Sequence, residues 1–260
     1  DEFVEPVDLK NKEIYTLEIS PNGVWVGTTK HGLYFYDFES ESTTMHFNTP
    51  MVIDITYINE QELIVGTTNG LFLINPQTRK VRVITQDKEK PSTIAHNVIT
   101  WTSQVSPTRY YIGLHAHGLM QMDLKDFQSE PVFTQLFADS ALSSSSIGAV
   151  VQDEQGILWI STERGIARGN LETQELDYFD QNDGTNESGY YIGARAVNSD
   201  GEIMFVGDQG ITYFHPDSIS KNEEMPTLHI TKIGTLSSKD NYGASVNLDQ
   251  DNSYTKVILR

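Results

Sequence analysis

The chain has 260 residues, 10% of them aromatic, enough for one large β domain or one domain with a small appendage. Its 18 Lys and Arg against 36 Asp and Glu give a formal charge of −18, a surface that repels phosphate backbones and anionic membranes and argues against nucleic acid as a partner. The absence of cysteine excludes disulfides and thiolate metal sites, and no apolar run approaches the ~20 residues of a membrane span. A cysteine-free composition fits the cytosol or a periplasm. The chain begins at Asp1 rather than Met, with no signal peptide visible, and is expected to be part of something longer.

Phe3 to Val7 reads as a strand with no unit of its own. From there one phrase recurs: two bulky apolar residues, a small residue, a polar step, then glycine and another apolar run. The first unit, 14–50, turns at Pro21-Asn22-Gly23 and carries Trp25-Val26-Gly27 leading to Gly32-Leu33. The second, 51–93, turns at Asn59-Glu60 and carries Ile64-Val65-Gly66 leading to Gly70-Leu71. The third, 94–143, parses into strands Val98–Gln104, Tyr110–Leu114, Leu119–Met122 and Pro131–Phe137, with Tyr111-Ile112-Gly113 leading to Gly118-Leu119. The fourth, 144–190, turns at Asp153-Glu154-Gln155-Gly156 and carries Trp159-Ile160-Ser161 leading to Gly165-Ile166. The fifth, 191–222, turns at Ser199-Asp200-Gly201 and carries Phe205-Val206-Gly207 leading to Gly210-Ile211. It then breaks at His215-Pro216-Asp217 before an outer strand, so Phe3 to Val7 is expected to complete it and close the ring.

The small residues stand at 27, 66, 113, 161 and 207, in steps of 39, 47, 48 and 46 residues. That period, built from strands alone, predicts an all-β fold: a β-propeller of about five four-stranded blades, followed by a short β segment at the C-terminus. Trp25, Tyr111, Trp159 and Phe205 share one phase and are expected to pack blade against blade. The glycine after each second strand is expected to turn the chain at left-handed φ.

No phosphate loop, dinucleotide fingerprint or nucleophile elbow is present, and no pair of carboxylates stands out for glycoside chemistry. His115 and His117 form the one local histidine pair, without a third ligand at metal-site spacing, so neither metal nor cofactor is expected. What remains is geometry. The residues before the turn glycines are His31, Asn69, His117, Arg164 and Gln209, which a closed ring gathers around one mouth. Each can hydrogen-bond hydroxyl groups, and Arg164 offers a planar fork of donors. Tyr190 and Tyr191, on a first-strand approach at the same end as His96 and Asn97, are the expected aromatic face for a small ligand.

Asp153-Glu154-Gln155-Gly156-Ile157-Leu158-Trp159-Ile160-Ser161-Thr162-Glu163-Arg164-Gly165-Ile166 resembles the two-component regulator propeller repeat, with Ser161 in place of its glycine. Ser20 to Thr29 is similar but one residue shorter, and Ile64 to Leu71 keeps the second half. Phe205 to Ile219 resembles the last blade of these sensors, and Pro226 to Ile233, followed by Val246-Asn247-Leu248, resembles the start of the Tyr-rich immunoglobulin-like domain that comes after it. The resemblance implies a propeller over 1–222 and a truncated immunoglobulin-like β domain over 223–260.

It further implies the periplasmic part of an inner-membrane sensor whose histidine kinase or diguanylate cyclase output lies elsewhere. Such a module is non-catalytic, binds a small ligand such as an oligosaccharide, and works as a homodimer in the full-length protein. The alternatives are a propeller lyase or glycosidase, and a protein-binding scaffold.

Overall fold

The structure, a computed structural model, describes residues 9–90, 92–220, 232–234 and 245–247. It is all-β. Its helical content among the described residues is confined to short 3-10 turns such as Ala141–Ser144 and Pro216–Ser218. Two units are distinct, 1–219 and 220–260.

The larger unit is a propeller of five blades, each an antiparallel meander. The first blade holds β1 (Ile14–Ser20), β2 (Gly23–Thr28), β3 (Leu33–Asp37) and β4 (Ser42–Phe47). The second holds β5 (Val52–Asn59), β6 (Glu62–Thr67), β7 (Gly70–Asn75) and β8 (Lys80–Ile84). The third holds β9 (Ile99–Ser106), β10 (Arg109–Leu114), β11 (Leu119–Asp123) and β12 (Val132–Gln135). The fourth holds β13 (Ile147–Gln152), β14 (Leu158–Thr162), β15 (Gly165–Gly169) and β16 (Leu176–Phe179). The fifth shows three strands among the described residues, β17 (Arg195–Val197), β18 (Ile203–Gly207) and β19 (Gly210–Phe214). The expected closure by Phe3 to Val7 lies outside the described residues. In the smaller unit β20 (Lys232–Gly234) pairs antiparallel with β21 (Ser245–Asn247), and the rest of the expected immunoglobulin-like segment lies outside the described residues.

The recurring small residue has a steric cause. A Cβ at Gly27 would stand 2.5 Å from Val52 Cγ1, at Gly66 2.9 Å from Ile99 Cγ2, and at Gly113 2.9 Å from Ile147 Cβ. In each case the next blade's first strand crosses the second strand of the preceding blade with no room for a side chain. Ser161 breaks the pattern, and its Oγ accepts from Ala149 N–H (2.9 Å) while Gly148 beside it supplies the space.

Around these crossings the blades bury an almost continuous core. Trp25 and Leu33 pack with Val52, Ile55 and Val65 between the first two blades. Ile64 and Leu71 pack with Ile99 and Ile112 between the next two, and Trp159, Tyr190 and Phe205 join the last. The four phased aromatics Trp25, Tyr111, Trp159 and Phe205 are all at most 4% exposed. Burying side chains of this size contributes about 1.5–3 kcal/mol each. At the two ends of the blade series apolar side chains stay in solvent, Leu17 and Ile19 on β1 and Ile211 and Tyr213 on β19.

The Asp of the repeat is a clamp. Asp153 Oδ1 accepts from Gln155 N–H (3.0 Å) and Ile157 N–H (2.8 Å), and Oδ2 accepts from the Trp159 indole N–H (2.8 Å). One carboxylate thus fixes the hairpin and satisfies the buried tryptophan. Two substitutions test the packing account in urea unfolding. Gly66→Val should cost about 1–3 kcal/mol by overpacking. Asp153→Ala should cost about 1–3 kcal/mol by orphaning the indole N–H. Unchanged midpoints in both would refute it.

Candidate functional site

The turn between second and third strands is built the same way in three blades. The hydroxyl of Thr28 donates to Gly32 O (2.8 Å) and accepts from His31 N–H (2.9 Å). Thr67 does the same with Gly70 O and Asn69 N–H, and Thr162 with Gly165 O and Arg164 N–H. The threonine of the repeat is therefore a turn cap. The following glycine has positive φ in all five blades, from +70° at Gly118 to +136° at Gly165. Leu114 and Asp208 replace the threonine in the third and fifth blades, and these turns are held differently.

In the third blade His117 is half-buried, its O accepting from Gln135 Nε2 (3.0 Å) and its ring stacked on His96 with centroids 4.5 Å apart. His117 Nδ1 lies 3.1 Å from His115 O, and His115 Nδ1 lies 3.0 Å from Ser146 Oγ. Ser146 N–H donates to Glu163 Oε2 (2.7 Å), and Glu163 Oε1 is 3.4 Å from Arg164 Nε. His117 and Arg164, expected to share a mouth, are thus joined in one polar network across two blades. Burial, and then the neighbouring His117 and His115, hold His96 below the usual histidine range, which favours the uncharged stack. Among the described residues no group of three metal-ligating side chains is placed to hold an ion.

The other expected residues divide. His31 and Asn69 are exposed at their turn tips. Gln209 is exposed and its amide lies 3.4 Å from both Glu187 N and Glu187 Oε2. Tyr191 is exposed and its hydroxyl donates to Asp208. Tyr190 departs from the expected aromatic face: it is 8% exposed, its ring packs 5.8 Å from Phe205, and its hydroxyl donates to Thr212 Oγ1 (2.7 Å) while accepting from Asn186 N–H (3.2 Å). It is a core residue. The packing takes the first of the two tyrosines and leaves the second in solvent.

Between the first strands of the blades lies a feature that no sequence motif marks. A cavity of about 700 Å³ is walled by the first strands of the first, second, third and fifth blades. Ile14 pairs with Thr28, Val52 with Thr67 and Ile99 with Leu114, so these strands start at the turn end and the cavity begins just inside it. Glu18, Asp54, Thr102, Gln104 and Arg195 face one another there. Asp54 Oδ2 accepts from Thr102 N–H (2.7 Å) and Thr102 Oγ1 (2.8 Å), and Thr56 Oγ1 lies 2.6 Å from Thr102 Oγ1. Glu18 Oε1 accepts from Tyr57 N–H (3.1 Å), and the Arg195 guanidinium sits over the Trp101 ring, 5.2 Å from its centroid. One signal was available in the sequence: Asp54 is a lone carboxylate inside the apolar run Val52-Ile53-Asp54-Ile55.

Burial pushes the Asp54 carboxyl up to about 6, with Glu18 adding to the effect and the Thr102 bonds and Arg195 opposing it. Burial also raises Glu18, against Tyr57 N–H and Arg195. The sign for stability follows. Unfolded Asp54 releases its proton near 3.8 and folded Asp54 near 6, so its contribution falls as pH rises through that window. Asp54→Asn should flatten that decline, gaining at most about 3 kcal/mol at pH 7 relative to pH 4. Thermal melts across pH 4 to 7.5 give the comparison, and a variant profile parallel to wild type would contradict it.

The family described as two component regulator propeller matches residues 141–164, the segment that runs into the Asp153 clamp and the Thr162 turn cap. The chain therefore carries the repeat that it resembles in sequence. It is 22% identical to histidine kinase P4 of Formosa agariphila over 94% of its own length and 22% of the relative's. Among solved structures it is similar to the extracellular domain of BT3049 from B. thetaiotaomicron, described as a hybrid two component system, with a TM-score of 0.61, 18% identity, and 82% of this chain on 29% of that one. It is also similar to the extracellular domain of BT4673 from the same organism, with a TM-score of 0.51, 16% identity, and 90% of this chain on 34% of that one. The chain thus spans about a fifth to a third of these longer proteins, and it shares the β-propeller fold of the two solved structures. Among the described residues no helix is long and apolar enough to cross a membrane.

Proposed function

We propose that the chain is a non-catalytic, extracytoplasmic ligand-sensing module of a bacterial membrane signalling protein, located in the periplasm. Its ligand is a small polyhydroxylated molecule such as an oligosaccharide. The observation that carries this reading is the axial cavity. Carboxylates, a guanidinium and threonine hydroxyls converge there, just inside the polar turns that bear His117 and Arg164. Hydroxyl groups both donate and accept, so they match a wall that offers both. Bacterial sensor domains and a histidine kinase as relatives support the signalling half of the proposal. The ligand seats at the end bearing His31, Asn69, His117, Arg164, Gln209 and Tyr191. It acts by binding one arrangement of two full-length chains better than another, passed on through a following β domain.

Titration calorimetry against an oligosaccharide panel is the direct test. Arg164→Ala, and Arg195→Ala in the cavity, should each weaken the ligand found by about 1–3 kcal/mol, the range for losing a charged hydrogen-bond partner. Unchanged affinity in these variants and in His117→Ala would place the ligand elsewhere.

One observation favours a second reading, a glycan-degrading lyase or glycosidase. Asp54, raised to about 6 beside Glu18, has the environment of a general acid. Turnover of a polysaccharide by the purified chain, abolished in Asp54→Asn, would replace the sensor reading with this one.

A further inference from the structure

A groove of about 290 Å³ lies between the first and second blades, away from the axis. Its wall is aromatic. Trp25 and Phe35 have ring centroids 4.6 Å apart, His46 meets Trp25 edge-on at 4.9 Å, and Tyr57 faces them from the second blade. Asp37 and Glu60 stand at its rim. Two polar atoms in this wall are buried and make no hydrogen bond among the described residues, Trp25 Nε1 and His46 Nδ1.

The molecule contains its own control. Trp159 occupies the same position of the repeat in the fourth blade, and its indole N–H is held by Asp153. In the first blade the hairpin is one residue shorter, and no carboxylate occupies the Asp153 position. Ser20 stands there, and its hydroxyl donates back to Gly23 O (3.0 Å). Trp25, only 3% exposed, is left without the partner that the repeat provides. An orphaned buried donor has lost its water without gaining a partner, a cost that an incoming acceptor removes.

We propose that this groove is a second small-molecule site, taking an uncharged, hydroxyl-bearing molecule with an apolar face. Small rotations of the Trp25 and His46 side chains uncover these atoms, so that its oxygen accepts from the Trp25 indole N–H and its hydroxyl pairs with His46 Nδ1. The aromatic wall covers the apolar face, and the rim carboxylates Asp37 and Glu60 turn anions away. Burial, with the Arg79 charge acting in the same direction, holds His46 below the usual histidine range, so its ring is neutral at pH 7 and Nδ1 can accept. The site stands on its own geometry and does not depend on the axial cavity.

The test uses indole N–H resonances of the 15N-labelled 260-residue chain. Its three tryptophans give three signals, with Trp25 assigned by its loss in Trp25→Phe. Titration with trans-1,2-cyclohexanediol and with methyl β-D-glucopyranoside should move the Trp25 signal saturably and leave Trp159 in place, while sodium glucuronate should move neither. His46→Phe keeps an aromatic ring without Nδ1 and should weaken the probes about tenfold. Ser20→Asp restores a carboxylate near the Asp153 position and should suppress binding by engaging Trp25. A Trp25 signal unmoved by both neutral probes at millimolar concentration would overturn the proposal. So would equal movement by glucuronate, or undiminished affinity in both His46→Phe and Ser20→Asp. None of these results touches the Arg164 and Arg195 comparison, so the two sites stand or fall separately.

Discussion

The structure depends on how closely one blade can approach the next. At Gly27, Gly66 and Gly113 the second strand of a blade meets Val52, Ile99 or Ile147 of the following blade at distances that admit no Cβ. Three consequences follow from that contact. The phased aromatics two positions earlier are forced into the seam, where they are nearly fully buried. The first strands are held at a fixed separation around the axis, which sets the width of the cavity. The residues just beyond each crossing, Asp54 after Val52 and Thr102 after Ile99, are carried to the cavity wall. The chemistry at the axis is a by-product of packing at the seam.

Polar groups follow the same geometry. The turn threonines Thr28, Thr67 and Thr162 satisfy their own turns, so the repeat is self-contained where it is complete. Cations near the axis are locally balanced, Arg164 by Glu163, and Arg195 by the field of Glu18 and Asp54. With a formal charge of −18 on the whole chain, the long-range field disfavours anions while these two guanidinium groups still offer local donors.

The fold was legible because its constraints are local and repeat. A bulky apolar residue two positions before a small residue at the strand crossing, then a glycine at a left-handed turn, marks every unit, whatever fills the outer strand. The candidate site was legible only in part. His117 and Arg164 sit at turns and are linked through His115, Ser146 and Glu163, which come from two blades and which no motif ties together. Tyr190 and Tyr191 are neighbours, and the seam took Tyr190 for the core. Asp54 was visible as a carboxylate in an apolar strand. Its partners Thr102 and Arg195 lie far away in sequence, so its role waited on the ring.

Repetition also makes each departure informative. Where a repeat is complete, its polar groups find partners within the blade, as Asp153 shows for the hairpin and the indole at once. Where it is shortened or substituted, something is released. Leu114 in the threonine position removes a cap, and the third-blade turn meets instead Gln135, which donates to His117 O, and the His96 ring stacked on His117. The shortened first hairpin leaves Trp25 without an acceptor beside an equally unpaired His46. A fold that needs the same contacts in each blade tolerates such losses only if the remaining seams hold the ring together, which the crossings at Gly27, Gly66 and Gly113 do without using those polar atoms. The stability of the propeller and the chemistry available to a ligand therefore rest on different atoms of the same repeat, and individual blades can lose polar partners while the seam is kept.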